Sequence, residues 1–357
     1  MTAARSYRWY FAVMMAALVA VSLSWSPAEA KKKKKKKSVS QKVLFVNTDF
    51  GITYDDNIIR YSDADLDLYD VSPDTGVFSI DSKNDWIITP KIESRVKGKF
   101  IDGRTAWLGL YFNYYHYVQN DVRRFVKIGA FGRHYYRRGG YFEIDYYYIP
   151  DYYYRNQTYL NSFVEASFSK HSLTLATGAD IASSIKAEIS YRYQSKAFNA
   201  EVSERDLKVN GFKLDGVWKM SNSLKFWATY GLESASAAGA DNPDLTVKDV
   251  SYDAWDITLG SRYYTRLLGK VSPEFSLSAQ IREIKYQTSK YVDNYRFGRK
   301  DHNRKYTAGA TWHLPQKVQF DMEYTYLQKQ TDLLTPALEG ALEYTANSIT
   351  FSLKRNF

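Results

Sequence analysis

The sequence predicts an all-β protein whose antiparallel strands form a transmembrane barrel. Apolar and polar residues alternate with period two along most of residues 43–357, as in strands whose two faces meet different surroundings. The final run places Ile349, Phe351 and Leu353 on one face and then ends at Phe357. A terminal aromatic fits a barrel whose last strand pairs with its first. The 32 Tyr, 8 Trp and 19 Phe supply rings that are enriched at membrane interfaces.

Residues 1–30 have the organisation of a secretory signal peptide. Arg5 and Arg8 give a positive start, and residues 11–23 form an apolar core. Ala28-Glu29-Ala30 then provides a small-x-small cleavage site, as such signals require. The apolar core is shorter than the roughly 20 residues that span a membrane, so an uncleaved anchor helix is the weaker alternative. We exclude these residues from the fold.

The formal net charge of +10 is concentrated near the N-terminus. Residues 1–37 hold nine of the 49 Lys and Arg, including the run Lys31 to Lys37, and one of the 39 Asp and Glu. The rest of the chain is therefore near +2, which argues against a nucleic-acid-binding protein, whose charge should spread over a folded face. We expect residues 31–42 to form a Lys-rich disordered tail, since like charges in a row repel one another.

Turn-like sequences divide residues 43–357 into strands with alternately short and long connections, as in membrane barrels. The short ones are 137–140, 182–184, 221–223 and 314–316, and the long ones are 55–85, 235–250, 287–303 and 331–342. The short turns should lie at one end of the barrel and the long connections at the other. We expect this assignment to require an odd number of strands between Gly140 and Ala182. With residues 156–171 mostly in a loop, the prediction is 14 strands. A full strand over 159–168, with a further hairpin, would make 16.

Other architectures fit the sequence less well. Mean hydropathy is −0.47, and no segment after the signal peptide offers the 18 consecutive apolar residues of a membrane-spanning helix. A β-sandwich would bury its apolar faces against each other and would need no rows of charges opposite so many aromatic residues. A barrel of this size encloses an aqueous lumen unless loops or side chains fill it.

Charged residues on the polar faces of the strands are predicted to point into the barrel. The lumen-lining candidates are Lys91, Glu93, Arg95, Lys127, Arg133, Glu143, Asp145, Lys186, Glu188, Arg192, Asp256, Arg262, Arg282, Asp321 and Glu323. Both signs are present, so we interpret the lumen as a hydrated pore without strong ion selectivity, which would need a ring of one sign. The alternative is that these charges pair across the lumen and plug it.

Residues 55–85 are strongly acidic and contain the candidate metal ligands Asp63, Asp65 and Asp67. Their spacing resembles the start of a calcium-binding loop, but the Gly and the bidentate Glu that complete such a loop are missing. A solvated external loop is the alternative interpretation.

Residues 285–305 are strongly basic and carry aromatic residues between the charges. The candidates for binding an anionic glycan are Arg296, Arg299, Lys300 and Arg304. Arginine forks grip phosphate and carboxylate groups in two places at once. A solvated outer rim is the alternative interpretation.

No constellation of residues in the chain indicates catalysis. There is no cysteine, so a thiol nucleophile or a thiolate metal site is excluded. The five histidines are His116, His134, His171, His302 and His313. Asp301 and His302 are adjacent and therefore point to opposite faces of a strand. We predict no enzyme activity and no cofactor.

Through Phe357, its signal-peptide-like start and its repeated amphipathic strands, the chain resembles bacterial outer-membrane β-barrel proteins over about residues 43–357. The resemblance implies a multi-pass barrel in the outer membrane, with residues 31–42 in the periplasm. It also implies contact with membrane lipid and lipopolysaccharide, and with the barrel-assembly machinery through the C-terminal strand. The leading functional prediction is a channel for passive passage of small polar solutes. The alternatives are a non-conducting surface, adhesion or assembly barrel acting through its charged loops, and a conduit gated by a protein partner.

Overall fold

In the computed structural model, 14 antiparallel strands close into one barrel. The structure describes residues 43–72, 77–99, 103–137, 139–159, 162–265 and 273–357. The predicted signal peptide and Lys-rich tail lie outside these residues. The strands are β1 (Val43–Asp55), β2 (Asp85–Lys99), β3 (Thr105–Tyr117), β4 (Phe125–Arg137), β5 (Gly140–Tyr159), β6 (Ser162–Ala182), β7 (Ile185–Phe198), β8 (Leu207–Lys219), β9 (Leu224–Ala237), β10 (Tyr252–Tyr264), β11 (Pro273–Tyr286), β12 (Lys300–Leu314), β13 (Val318–Asp332) and β14 (Tyr344–Asn356).

The barrel closes where β1 pairs with β14 in antiparallel register. Phe50 lies opposite Leu353, and both side chains are exposed on the outside. On the other face the hydroxyl groups of Thr53 and Thr350 lie 2.8 Å apart. The predicted all-β barrel of 14 strands is therefore confirmed, because pairing the last strand with the first leaves no open sheet edge.

Strands β5 and β6 form a hairpin that is longer than its neighbours. Residues 156–171, expected to be mostly loop, belong largely to these two strands, so that expectation is wrong. The extra length continues the β5–β6 hairpin and adds no further strand. Since only two strands lie between Gly140 and Ala182, the odd number is wrong as well: two antiparallel crossings return the chain to the end at which it started.

An apolar band covers the outside of the barrel. Leu110, Leu259 and Leu277 are each about 60% exposed (64%, 59% and 62%), and each alternates with a residue on the inner face. Exposed side chains of this kind are costly in water and favourable in lipid. Among the described residues, no helix has the length and the apolar character needed to cross a membrane.

The two ends of the barrel differ. The predicted short turns are confirmed by the ends of the strands that they join, and most connections at the other end are longer loops. The loops used below are L1 (56–84), L2 (118–124), L4 (199–206), L5 (238–251), L6 (287–299) and L7 (333–343). L1 contains a helix that the sequence did not predict, α1 (Asp63–Val71). Ser62 caps it, accepting a bond from the backbone N–H of Asp65 at 3.1 Å, as N-cap serines do.

L5 and L6 are held together by one buried ammonium group. Lys290 is 3% exposed, and its Nζ donates to the carbonyl oxygens of Gly239, Asp244 and Val247 at 2.9, 3.0 and 2.9 Å. Three charge-assisted bonds offset the desolvation of the ammonium. The two loops therefore form a fixed part of the barrel rim.

Candidate functional site

The inner wall of the barrel carries the charges that the sequence singled out. On β5, Glu143 and Asp145 alternate with Ile144 and Tyr146, which are exposed on the outside. Strand register extends this assignment around the barrel. It places on the inner face Lys91, Glu93, Arg95, Lys127, Arg133, Glu143, Asp145, Lys186, Glu188, Arg192, Asp256, Arg262, Arg282, Asp321 and Glu323.

Ion pairs on this wall run along it. Lys91 reaches Asp49 on the adjacent strand at 3.3 Å, and Arg133 pairs with Glu143. Among the ion pairs of the described residues, none joins strands more than two positions apart around the barrel. These pairs therefore stiffen the wall and do not bridge the lumen.

Glu233 on β9 is an inner carboxylate that the sequence analysis did not single out, and it has three side-chain partners. Arg192 of β7 and Arg282 of β11 approach it from opposite sides, the second at 2.8 Å, and the Tyr252 hydroxyl donates to it at 2.6 Å. The alternation that predicted β9 continues through Leu232, which is exposed on the outside. Following it one residue further would have placed Glu233 inside.

Aromatic rings lie flat on the inner wall over glycines. A Cβ atom built at Gly129 would overlap the Tyr111 ring, and one at Gly260 would overlap Trp227. Tyr111 also donates from its hydroxyl to Asp145 at 3.3 Å. Because these rings lie against the strands, they occupy little of the space between opposite walls.

A cavity of about 380 Å³ lies on the wall formed by β2 to β5. Its lining combines charged and aromatic side chains: Glu93, Arg95, Trp107, Tyr111, Phe131, Arg133, Tyr135, Glu143 and Asp145. The Arg95 guanidinium lies 4.7 Å from the Trp107 ring centre, and Arg133 lies 4.3 Å from the ring centre of Tyr141. The rings hold these cations close to the wall through cation–π attraction.

L1 packs against the inner wall at the loop end. Its residues Ile58, Tyr61 and Phe78 form a buried cluster with Tyr117 of β3 and Tyr153 of β5. Tyr117 belongs to the inner face of its strand, so L1 occupies part of the barrel mouth. The apolar cluster makes this position stable, because it buries surface that water would otherwise contact.

Arg123 of L2 ties L1 to the wall. It is 6% exposed and donates to the carbonyl oxygens of Ile58 in L1 and Tyr153 in β5, at 3.2 and 2.8 Å. The register of β5 shifts between Tyr153 and Arg155, and such a bulge frees backbone groups from the ladder. The guanidinium donates to the freed carbonyl oxygens of β5 and so joins L1 to this strand.

Four cationic side chains gather on the inner face near the loop end: Arg155 of β5, Lys170 of β6, Lys196 of β7 and Arg205 of L4. We call them the cationic cluster. Lys170 lies directly opposite Lys196, and the charges of Arg155 and Arg205 both act on the Tyr154 hydroxyl. Tyr154 is nevertheless 37% exposed, so this part of the interior is accessible to water.

The pKa values of two arginines near the mouth are shifted in opposite directions. Burial, together with the charge of Arg296, lowers the pKa of Arg205 to about 10. Burial acts in the same direction on Arg299, but its hydrogen bonds to Asp301 raise the pKa of that guanidinium overall. Asp301 holds Arg299 by two bonds of 2.7 Å, whereas Glu204 lies 3.8 Å from Arg205. The positive charge of Arg205 is therefore weakly compensated.

A closed barrel with an apolar outer band and a charged inner wall inverts the pattern of a water-soluble protein. In lipid, strands can cross only in this form, because every backbone group must be paired within the wall. The fold is that of an outer-membrane β-barrel.

No family model matches this chain, and no curated protein matches it. Among solved structures it is similar to a bacterial polysaccharide outer membrane secretin, with 10% identity over 87% of this chain and 98% of that one and a TM-score of 0.46. It is also similar to the outer membrane channel DcaP of Acinetobacter baumannii, with 11% identity, 91% and 99% coverage and a TM-score of 0.44. OmpT of Vibrio cholerae gives 10% identity, 90% and 100% coverage and a TM-score of 0.46. These likenesses say nothing about a solute.

The barrel does not bring the candidate metal ligands together. Asp63, Asp65 and Asp67 lie in the first half of α1, where residues two apart point to different sides of a helix. No group of three or more metal-ligating side chains occurs in the part of the chain that the structure describes. Asp63 and Asp65 lie in the first turn of the helix, where carboxylates interact favourably with the positive end of the helix dipole.

The candidate glycan-binding residues are divided between two surfaces. Arg296 pairs with Asp293 at 2.8 Å, and Arg299 is 7% exposed and held by Asp301. Register places Lys300 and Arg304 on the outer face of β12, and both are exposed. On that same face His302 lies 3.0 Å from Asp332. The four candidates therefore do not form one site.

Replacing Gly129 with alanine should displace the Tyr111 ring from the wall. We expect a loss of about 1–3 kcal/mol in the free energy of unfolding, the usual cost of overpacking, measured by urea unfolding of the refolded barrel. The control is Gly51→Ala, on the inner face of β1, where a Cβ would meet nothing nearer than 3.7 Å. Equal effects of the two substitutions would contradict the account of rings lying over glycines.

Proposed function

We propose that this barrel is a channel for passive passage of small polar solutes and has no enzyme activity. The observation that supports the proposal most is the direction of the inner ion pairs, which follow the wall and leave the lumen unbridged. Several inner charges also stay accessible: the side chains of Lys186 and Arg262 are 73% and 49% exposed. Such groups can orient and screen polar solutes as they pass.

The dimensions of the barrel support the same proposal. Fourteen strands, spaced about 4.8 Å apart and tilted by about 40°, close into a cylinder about 28 Å across between backbones. Barrels of about eight strands can be filled by their own side chains. Here several of the largest inner side chains, among them Tyr111 and Trp227, lie flat on the wall.

L1 sets the width of the mouth in this proposal. Its buried cluster with Tyr117 and Tyr153 covers the inner face of β3 and β5 at the loop end. Helix α1 also contacts the short 3₁₀ helix of L7, Pro336–Ala341. Passage would then be governed by L1 at the loop end and by the charged wall below it.

A non-conducting surface, adhesion or assembly barrel is the second candidate. The observation that favours it is the ordered rim: L1 is fixed by Arg123, and L5 and L6 are joined by Lys290. Lys300 and Arg304, exposed outside near this rim, would then meet lipopolysaccharide. Contact of β14 with the barrel-assembly machinery and gating by a protein partner stay proposals of the same kind.

Single-channel recording of the refolded protein in a planar bilayer decides between these functions. We expect stable openings in potassium chloride, because the inner charges are hydrated and unbridged. Correct folding is checked by heat-dependent gel mobility before the recording. A correctly folded protein that leaves the bilayer silent would rule out the channel and leave the second candidate.

Substituting Arg123 with alanine should loosen L1 from the mouth. The variant loses hydrogen bonds from a charged group, each contributing about 1.5–3 kcal/mol, to L1 and to β5. We expect larger conductance and noisier openings than in the unsubstituted barrel. Arg104→Ala, at an exposed position in the short turn between β2 and β3, is the control and should change neither. Unchanged conductance in a folded Arg123→Ala protein would show that L1 does not limit passage.

A further inference from the structure

Two lysines of the cationic cluster face each other without a carboxylate between them. Lys170 and Lys196 are directly opposite on β6 and β7, and neither forms an ion pair among the described residues. Their Nζ atoms lie 5.4 Å from the ring centres of Tyr147 and Phe168. Like charges directly opposite each other destabilise a sheet, so this arrangement favours the presence of an anion.

Arg155 and Arg205 extend the same unbalanced charge toward the mouth. Arg155 lies between two rings, 5.5 Å from the centre of Tyr61 in L1 and 5.0 Å from that of Tyr154. The Nε atoms of both arginines are buried and have no hydrogen-bond partner among the described residues. Buried polar groups are normally satisfied, and an anionic oxygen would satisfy these.

The carboxylates nearest to the cluster are engaged elsewhere. Glu233 is held by Arg192 and Arg282, and Asp301 is held by Arg299 and Lys329. Glu204 lies 3.8 Å from Arg205, and Asp206 accepts a hydrogen bond from the backbone N–H of Phe198 at 2.6 Å. The ion pairs of the described residues therefore leave Arg155, Lys170 and Lys196 without a carboxylate partner.

Aromatic rings on the same stretch of wall suit a solute with an apolar face. Phe168 packs against Phe198 with ring centres 5.0 Å apart, and Tyr154 meets Phe198 edge-on at 6.3 Å. Rings beside cations are a combination that binds the carboxylate and the ring face of an acidic sugar together.

We propose that the cationic cluster is an anion-selecting constriction at the loop end of the lumen, through which small solutes bearing carboxylate or phosphate groups pass. This inference rests on the proposed channel function and names its substrate class. It also revises the expectation of weak selectivity that the mixed inner charge suggested. Lower on the wall the two signs alternate, whereas the cluster at the loop end carries one sign.

The test is the reversal potential of the refolded, full barrel in asymmetric potassium chloride. We expect chloride to be preferred over potassium by at least about threefold, and the ratio to fall to about one in the variant Arg155→Gln/Lys170→Gln/Lys196→Gln. Glucuronate and inorganic phosphate should reduce the chloride current of the unsubstituted barrel more than glucose does. These three probes separate anionic recognition from simple obstruction by a sugar.

The matched control removes equal charge from the outer face at the same end, in Lys208→Gln/Lys285→Gln/Lys300→Gln, and should keep the anion preference. If the triple inner variant does not refold, Lys196→Gln alone should still lower the ratio. A conducting barrel that prefers potassium, or an inner variant that keeps full anion preference, would overturn this inference and leave the channel intact. A silent bilayer would overturn both.

Discussion

The need to pair every backbone N–H and C=O within the wall governs this molecule. Lipid offers no hydrogen-bonding partners, so a sheet can cross it only when its edges are joined. Here β1 joins β14, and closure then fixes which side chains face outward. Period-two alternation follows directly: Leu259 and Leu277 meet lipid, while the residues between them face inward.

Closure creates an interior that must be either filled or hydrated, and the inner wall favours hydration. Glycines such as Gly129 let aromatic rings lie against the strands, and carboxylates such as Glu233 are held by arginines of nearby strands. Both arrangements hold side chains against the wall and leave the centre of the lumen open. Narrowing is left to L1 and to the cationic cluster at the loop end, where size and charge would be selected together.

The sequence predicted the features that depend on local periodicity. Alternation predicts the strand positions, the short turns and the inner placement of residues such as Asp145 and Arg192. It does so because the sequence of a strand shows which of its residues share a face. The role of these residues in conduction stays a prediction. Helix α1 was missed because it is short and lies within a segment that its many aspartates made look like loop.

Features that depend on tertiary contacts could not be read from the sequence. Two register shifts interrupt the alternation of β5 between Ile149 and Arg155. Together they return Arg155 to the face of Glu143 and Asp145, but nothing in the run of tyrosines before it shows that the strand continues inward-facing to this point. The inward fold of L1 depends on Arg123, which lies 65 residues from its acceptor Ile58. Basic residues grouped by sequence proximity, Arg296 to Arg304, proved to occupy different surfaces, whereas the cationic cluster draws on four separate elements.

A cysteine scan along β11 tests whether a hydrated lumen lies behind an apolar outer face. The chain has no cysteine, so single substitutions report without background. In lipid vesicles, a charged, water-soluble thiol reagent should label cysteines at Ser276, Ser278 and Gln280, which face inward, and spare those at Leu277 and Ala279. Labelling that lacks this period of two, or that fails at every inner position, would contradict the account.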